Sequence, residues 1–286
     1  MNSSETEESI LVTDGFHIFC RRWNSESPAK KTIVCIPGTG GNSEFFRPIG
    51  LDLATLACDV YALDLRGFGN SVEKNLQRGD TSSFKRHLQD LQDAVRQIKH
   101  TSTKVFIFGH SHGCAYSLWL AANCPELVDG LILAAPPIAA TAKVHHRSYL
   151  KFAFLLLAAP KTMYSFGQPE PDSLASNPLI ARRLSIRWLY GSKKYLLDPL
   201  FKNASRVNLP TLILQGSADT STLPEGAKIL QDKLGSTDKS IIMFQGADHF
   251  LYGAVFPSLE SGETENRHRV ANAVNDWLNL RIQRPM

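Results

Sequence analysis

No stretch of this chain is apolar for long enough to cross a bilayer. The longest, Phe152–Pro160, falls far short of the ~20 residues that a spanning helix needs. The first residues, Met1-Asn2-Ser3-Ser4-Glu5-Thr6-Glu7-Glu8, lack the basic and apolar regions of a secretory leader and read as a frayed polar end. Cysteine is scarce and odd in number at 5, which argues against a disulfide framework. Cys35 and Cys114 fall in apolar runs, as reduced thiols of a cytoplasmic protein do. Neither sign of charge dominates: 31 Lys and Arg face 27 Asp and Glu. No nucleic-acid motif accompanies the small excess. No metal-ligand spacing is present either, since His145-His146 are adjacent and not on one helical face. There is no repeat and no low-complexity tract. What is present is a chain of 286 residues, 43% of them apolar, long enough to bury a substantial core.

Short apolar runs alternate with helical patterns. Ile10-Leu11-Val12 and His17-Ile18-Phe19-Cys20 flank Asp14-Gly15, a hairpin signal. Strands are expected at 32–36, 60–63, 105–108, near 130–135, 210–215 and 240–244. Phe84, Leu88, Leu91, Val95 and Ile98 recur at helical spacing between Thr81 and His100, leaving Lys85, Arg86, Asp90 and Arg96 for solvent. Further helices are expected after residue 113, near 224–234 and near 264–282, the last with Val270, Val274, Trp277 and Leu278 on one face. Alternation of this kind implies an α/β fold with a mostly parallel sheet covered on both sides.

Between the strand Val105–Phe108 and the helix beginning near Cys114 stand Gly109-His110-Ser111-His112-Gly113. This is G-x-S-x-G in the strand–turn–helix setting that a nucleophile elbow requires. Glycines flank a serine on a strained turn, and the helix behind it favours a developing oxyanion. Such a serine needs a base, and the base needs an orienting acid. Asp219 follows the strand Thr211–Gln215, and His249 follows the strand Ser240–Phe244. Ser111, Asp219, His249 is the chain order of the α/β-hydrolases. Among the 9 histidines, His110 and His112 adjoin the serine, and the elbow aims them away from its Oγ. The segment Ala135–Ala140 offers no rival acid. Asp248 adjoins His249 in sequence and cannot easily fold back onto its ring.

With these residues in view, the chain resembles the α/β-hydrolases, and among them the monoacylglycerol lipase, lysophospholipase and carboxylesterase group. The resemblance spans nearly the whole chain and includes Pro37-Gly38-Thr39-Gly40-Gly41 and Asp64-Leu65-Arg66-Gly67-Phe68-Gly69-Asn70-Ser71. It implies two oxyanion amides, those of Thr39 and His112. Pro37 stands where relatives usually carry histidine, which removes a bracing side chain but not a donor. Asp64 and Arg66 are expected to be structural. The resemblance implies cleavage of carboxylic esters through an acyl-enzyme, with a small acyl ester or lipid as partner and no cofactor. Amide or peptide hydrolysis of the aminopeptidase kind, thioester or carbon–carbon hydrolysis, and a ligand receptor without turnover, are the alternatives on the same fold.

About seventy residues separate two expected strands, too many for a plain connection. The segment 137–208 is therefore expected to be a helical cap on a core made of 1–136 and 209–286. It holds Tyr149, Phe152, Phe154, Leu155–Leu157, Met163, Tyr164 and Phe166, then Leu179, Ile186, Trp188, Leu189 and Tyr190. It also carries 11 Lys and Arg against 3 Asp and Glu, a net +8, so the remainder carries −4 of the overall +4. An apolar, basic cap fits a greasy substrate and contact with anionic lipid surfaces; a solvated basic face explains the charge equally well.

Overall fold

The computed structural model describes residues 4–25, 29, 31–138, 154–165, 177–253 and 261–282. Ten strands are present among them: β1 (Glu5–Leu11), β2 (His17–Trp23), β3 (Lys31–Ile36), β4 (Cys58–Leu63), β5 (Val105–His110), β6 (Gly130–Ala134), β7 (Met163–Ser165), β8 (Arg183–Ser185), β9 (Thr211–Gly216) and β10 (Lys239–Phe244). The longer helices are α1 (Arg47–Thr55), α2 (Phe84–His100), α3 (His112–Asn123), α4 (Ile186–Ser192), α5 (Leu200–Arg206), α6 (Glu225–Lys233) and α7 (Ser261–Ile282).

Eight strands form one sheet in the order β1-β2-β4-β3-β5-β6-β9-β10. The tight turn at Asp14-Gly15 makes β1 and β2 antiparallel, and β2 lies antiparallel to β4. Every pairing from β4 to β10 is parallel. Parallel neighbours require crossovers, and the crossover helices cover both faces. The period-2 alternation of the strands shows this directly. Val34, Ile36, Ile107, Leu131, Leu133 and Ile213 join the core beneath α2, α3 and α6. Ile33, Cys35, Phe106, Phe108, Ile132 and Leu212 join the core beneath α1 and α7. Trp277 packs edge-on against Phe106 at 5.8 Å, a core residue as its spacing implies.

Two expectations change. The acidic start is not frayed from Glu5 onward, because β1 pairs along its whole length with β2. Glu5 binds Arg21 at 2.5 Å, Trp23 Nε1 at 3.1 Å and Arg47 at 2.8 Å, so its charge is matched and the edge strand is held. The second concerns α2. It begins at Phe84, where the extended Ser83 caps it, its Oγ accepting from the otherwise unpaired Arg86 amide. Its Asp90, expected in solvent, is buried against the Arg66 guanidinium, which also meets Asp14 at 2.8 Å and Glu73 at 3.4 Å. The D-x-R-G element thus anchors α2 to the loop after β4. Periodicity marks which residues face inward, but it cannot see a cation arriving from elsewhere.

The segment between β6 and β9 has a helical turn at 154–158, the antiparallel pair β7–β8, and the short helices α4 and α5. It is therefore not purely helical. Ser185 caps α4 through the Trp188 amide at 3.1 Å. Arg187 fixes the segment to the core with a two-pronged pair to Asp80 at 2.7 and 2.6 Å. Phe154 and Leu157 are exposed. Tyr149, Phe152, Phe166, His145 and His146 lie outside the described residues. All five cysteines are free and buried. Among the described residues no helix is long and apolar enough to cross a membrane.

Candidate active site

Ser111 occupies the single residue between the end of β5 and the start of α3. It has φ +51° and ψ −120°, a strained backbone for a residue with a side chain. The neighbouring glycines are sterically required. A Cβ on Gly109 would sit 2.4 Å from Ser117 Oγ, and one on Gly113 would sit 2.1 Å from the Ile36 carbonyl oxygen. The Ser111 amide donates to the Ala134 carbonyl at 2.8 Å, which ties the turn to β6. This close fit lifts the serine above the carboxyl ends of the strands, where open α/β sheets hold their ligands.

Asp219 is brought to the same edge by the loop after β9. Oδ1 accepts from the Ser221 and Thr222 amides at 2.8 and 2.9 Å. Oδ2 accepts from Thr222 Oγ1 at 2.8 Å and Gln215 Nε2 at 3.1 Å, and meets His249 Nδ1 at 2.8 Å. Burial works to raise the pKa of this carboxyl. The hydrogen bond and charge of His249, with the bonds from Thr222, outweigh it and lower the value to about 2. Asp219 is thus an ionised partner that orients the His249 ring. Asp248 instead takes the Phe250 amide at 2.8 Å in a local turn, as its adjacency to His249 requires.

His110 Nε2–H donates to the His249 carbonyl at 3.0 Å, and the two rings lie 4.9 Å apart. Burial, then the neighbouring His249 charge, lowers the His110 pKa to about 3, so the ring is neutral. No hydrogen bond joins Ser111 Oγ to the His249 ring among the described contacts; such a bond is often loose before substrate arrives. On the other side of the serine, a Cβ on Gly38 would lie 3.1 Å from Ser111 Cβ. Thr39 and His112 therefore flank Ser111, and both line one cavity with Gly38, Leu65, Phe68, Tyr116 and Trp188. The His112 side chain points away from the serine toward α4, where Nε2 meets Ser192 Oγ at 3.0 Å. Among the described residues no group of histidine, cysteine or carboxylate side chains could hold a metal ion.

A family model described as Serine aminopeptidase, S33 matches residues 27–253, most of the chain and all of this constellation. The chain belongs to this hydrolase family. The monoglyceride lipase of Mus musculus is 29% identical over 96% of this chain and 90% of its own length. The crystal structure of the Paleococcus ferrophilus monoacylglycerol lipase superposes with a TM-score of 0.73 at 24% identity, covering 92% of this chain and 99% of that one. A soluble variant of the Saccharomyces cerevisiae monoglyceride lipase, in complex with a substrate analog, gives 0.76 at 19% identity over 98% and 96%. At these identities the two structures speak to the fold, which is that of the α/β-hydrolases.

Three residues around the Asp219–His249 pair escaped the sequence reading. Thr222 and Gln215 both bind Asp219, and His110 braces His249. Thr222 had a local signal, since a threonine three residues past an aspartate can close a turn on its carboxylate. Gln215 is also local, four residues before Asp219 at the end of β9, whereas His110 reaches His249 across the sheet, which no short spacing reveals.

Proposed function

We propose that this protein is a serine hydrolase of carboxylic esters, acting on lipid-like substrates of the monoacylglycerol type. The observation that carries the reading is the Asp219–His249 pair at 2.8 Å, with His249 held by His110, the residue just before a serine at φ +51°. In this reading His249 Nε2 takes the proton of Ser111 Oγ as that oxygen attacks the ester carbonyl. The Thr39 and His112 amides receive the oxyanion. The charged His249, balanced by Asp219, protonates the departing alcohol and leaves an acyl-serine. Water then attacks the acyl carbon, again through His249, and frees the acid and the serine. The chain's own residues supply every group in this cycle. The segment 137–208 acts as a cap over the site, and its apolar residues receive the greasy part of the substrate. The five reduced thiols fit a cytoplasmic setting.

An aminopeptidase is the second reading, because the family model is described by that activity. Such an enzyme must hold the ammonium of a peptide's first residue. The similarity to monoglyceride lipases over 96% of the chain favours the ester. A fluorophosphonate probe is expected to label the wild type and not Ser111→Ala, which keeps its fold and loses esterase activity by several orders of magnitude. Turnover of amino-acid anilides faster than of monoacylglycerols would favour the second reading. Labelling that persists in Ser111→Ala would remove the nucleophile.

A further inference from the structure

Eleven residues carry a buried side-chain nitrogen or oxygen without a hydrogen-bond partner among the described residues. One of them, Trp188, also lines the cavity beside Ser111; its unpaired atom is Nε1. Trp188 reaches this place from α4, in the segment between β6 and β9, and is 2% exposed. Its ring is packed firmly. Phe68 and Phe84 stand edge-on to it at 5.4 and 5.9 Å, and His112 lies 5.6 Å away. None of these can relieve the indole. The two phenylalanines offer only ring faces and edges, and His112 Nε2 is already committed to Ser192 Oγ. Tyr116 OH, beneath the same cavity, is committed to His87 Nε2 at 2.7 Å.

A buried donor left unpaired is costly, and the cost disappears when a ligand brings the acceptor. Sites built in this way reject analogues that lack the matching group more strongly than sites that read shape alone. Resting on the serine-hydrolase reading, we propose that Trp188 Nε1–H is a specificity-determining donor that recognises an acceptor oxygen of the substrate, next to the reacting ester. The favoured substrate is then oxygen-bearing near its ester and otherwise apolar, because Leu65, Phe68 and Tyr116 form the rest of that wall. The oxygen can belong to a polyol leaving group or to the acyl chain near its carbonyl. The shared chemistry is one neutral acceptor within reach of the indole.

The experiment compares kcat/KM for two substrate pairs in wild type and Trp188→Phe. Glyceryl monobutyrate against butyl butyrate places the oxygen on the alcohol; ethyl 3-hydroxybutyrate against ethyl butyrate places it on the acyl group. The wild type is expected to prefer the oxygenated member of one pair. Trp188→Phe is expected to lose about three- to ten-fold of that preference, the range of one neutral hydrogen bond, read as the ratio of kcat/KM within each pair. The affected pair identifies where the oxygen sits. Trp188→His, which restores a ring N–H, is expected to recover part of the preference. Unchanged preference in both pairs overturns the proposal, even if Ser111→Ala is inactive; an active Ser111→Ala instead overturns the reading beneath it. If Trp188→Phe fails to fold, the test moves to Ser111→Ala with its native tryptophan. There the Trp188 indole N–H resonance is expected to shift downfield on saturation with glyceryl monobutyrate or ethyl 3-hydroxybutyrate. A resonance that moves with neither overturns the proposal as well.

Discussion

Asp219 shows how much a single side chain depends on its surroundings. Five hydrogen bonds converge on its two oxygens, from Ser221, Thr222, Gln215 and His249. They keep a buried carboxylate ionised where burial alone would neutralise it. Its depressed pKa stabilises the fold above the unfolded value near 4, and that contribution fades as pH falls toward 2. Asp219→Asn keeps the shape and most of the bonds but cannot balance a cationic His249. Its kcat is expected to fall by roughly 10²–10⁴ with the fold retained, whereas Asp248→Asn changes kcat by no more than a few-fold. Steady-state kinetics on a soluble ester separates the two, and the reverse ranking would mean that the acid is misassigned.

At the scale of elements, the buried guanidinium of Arg66 joins the loop after β4 to α2 through Asp90, with Asp14 and Glu73 closing around it. Removing one member of such a group strands the others in a dry environment. Arg66→Met is expected to lower unfolding free energy by about 3–5 kcal/mol while leaving kcat per folded molecule nearly unchanged. Urea titration checks the first part and active-site titration the second; a loss under ~1 kcal/mol would show that the pairs are dispensable. The strands and the elbow were legible beforehand because their signals are local: β-branched runs, flanking glycines, a serine between strand and helix. Asp90 was misjudged because its partner lies 24 positions away in sequence. The same limit applies to Arg187. It reads as one more surface charge for a lipid, but its guanidinium is paired with Asp80. Trp188 lies in a segment with no short-range motif at all.

For the whole molecule, the buried histidines set the response to acid. Burial lowers His87 to about 4, His112 to about 4 and His110 to about 3. Each is neutral in the fold and binds a proton near pH 6.5 once unfolded. Between roughly pH 6.5 and 4 the unfolded chain therefore holds up to three more protons, and stability falls as pH falls. The slope approaches about 4 kcal/mol per pH unit when all three contribute. Urea midpoints measured from pH 7.5 to 5 are expected to drop steeply over that window, and His87→Gln is expected to reduce the slope by about one proton. A flat profile would mean that these rings accept protons without unfolding.

The last helix has a consequence for how the chain comes into being. Lys31 at the start of β3 reaches across to Asn275 and Asn279, at 2.5 and 2.9 Å, while Trp277 covers Phe106. One side of the central sheet is thus finished by a helix that follows every one of its strands in the sequence. Until α7 clears the ribosome, the core of Ile33, Phe106 and Ile132 lacks one of its two covering helices, although the strands that bear it emerged long before. The nascent protein passes through a stage in which most of its sheet can form while the part of the core under α7 stands open, and closure waits for that helix.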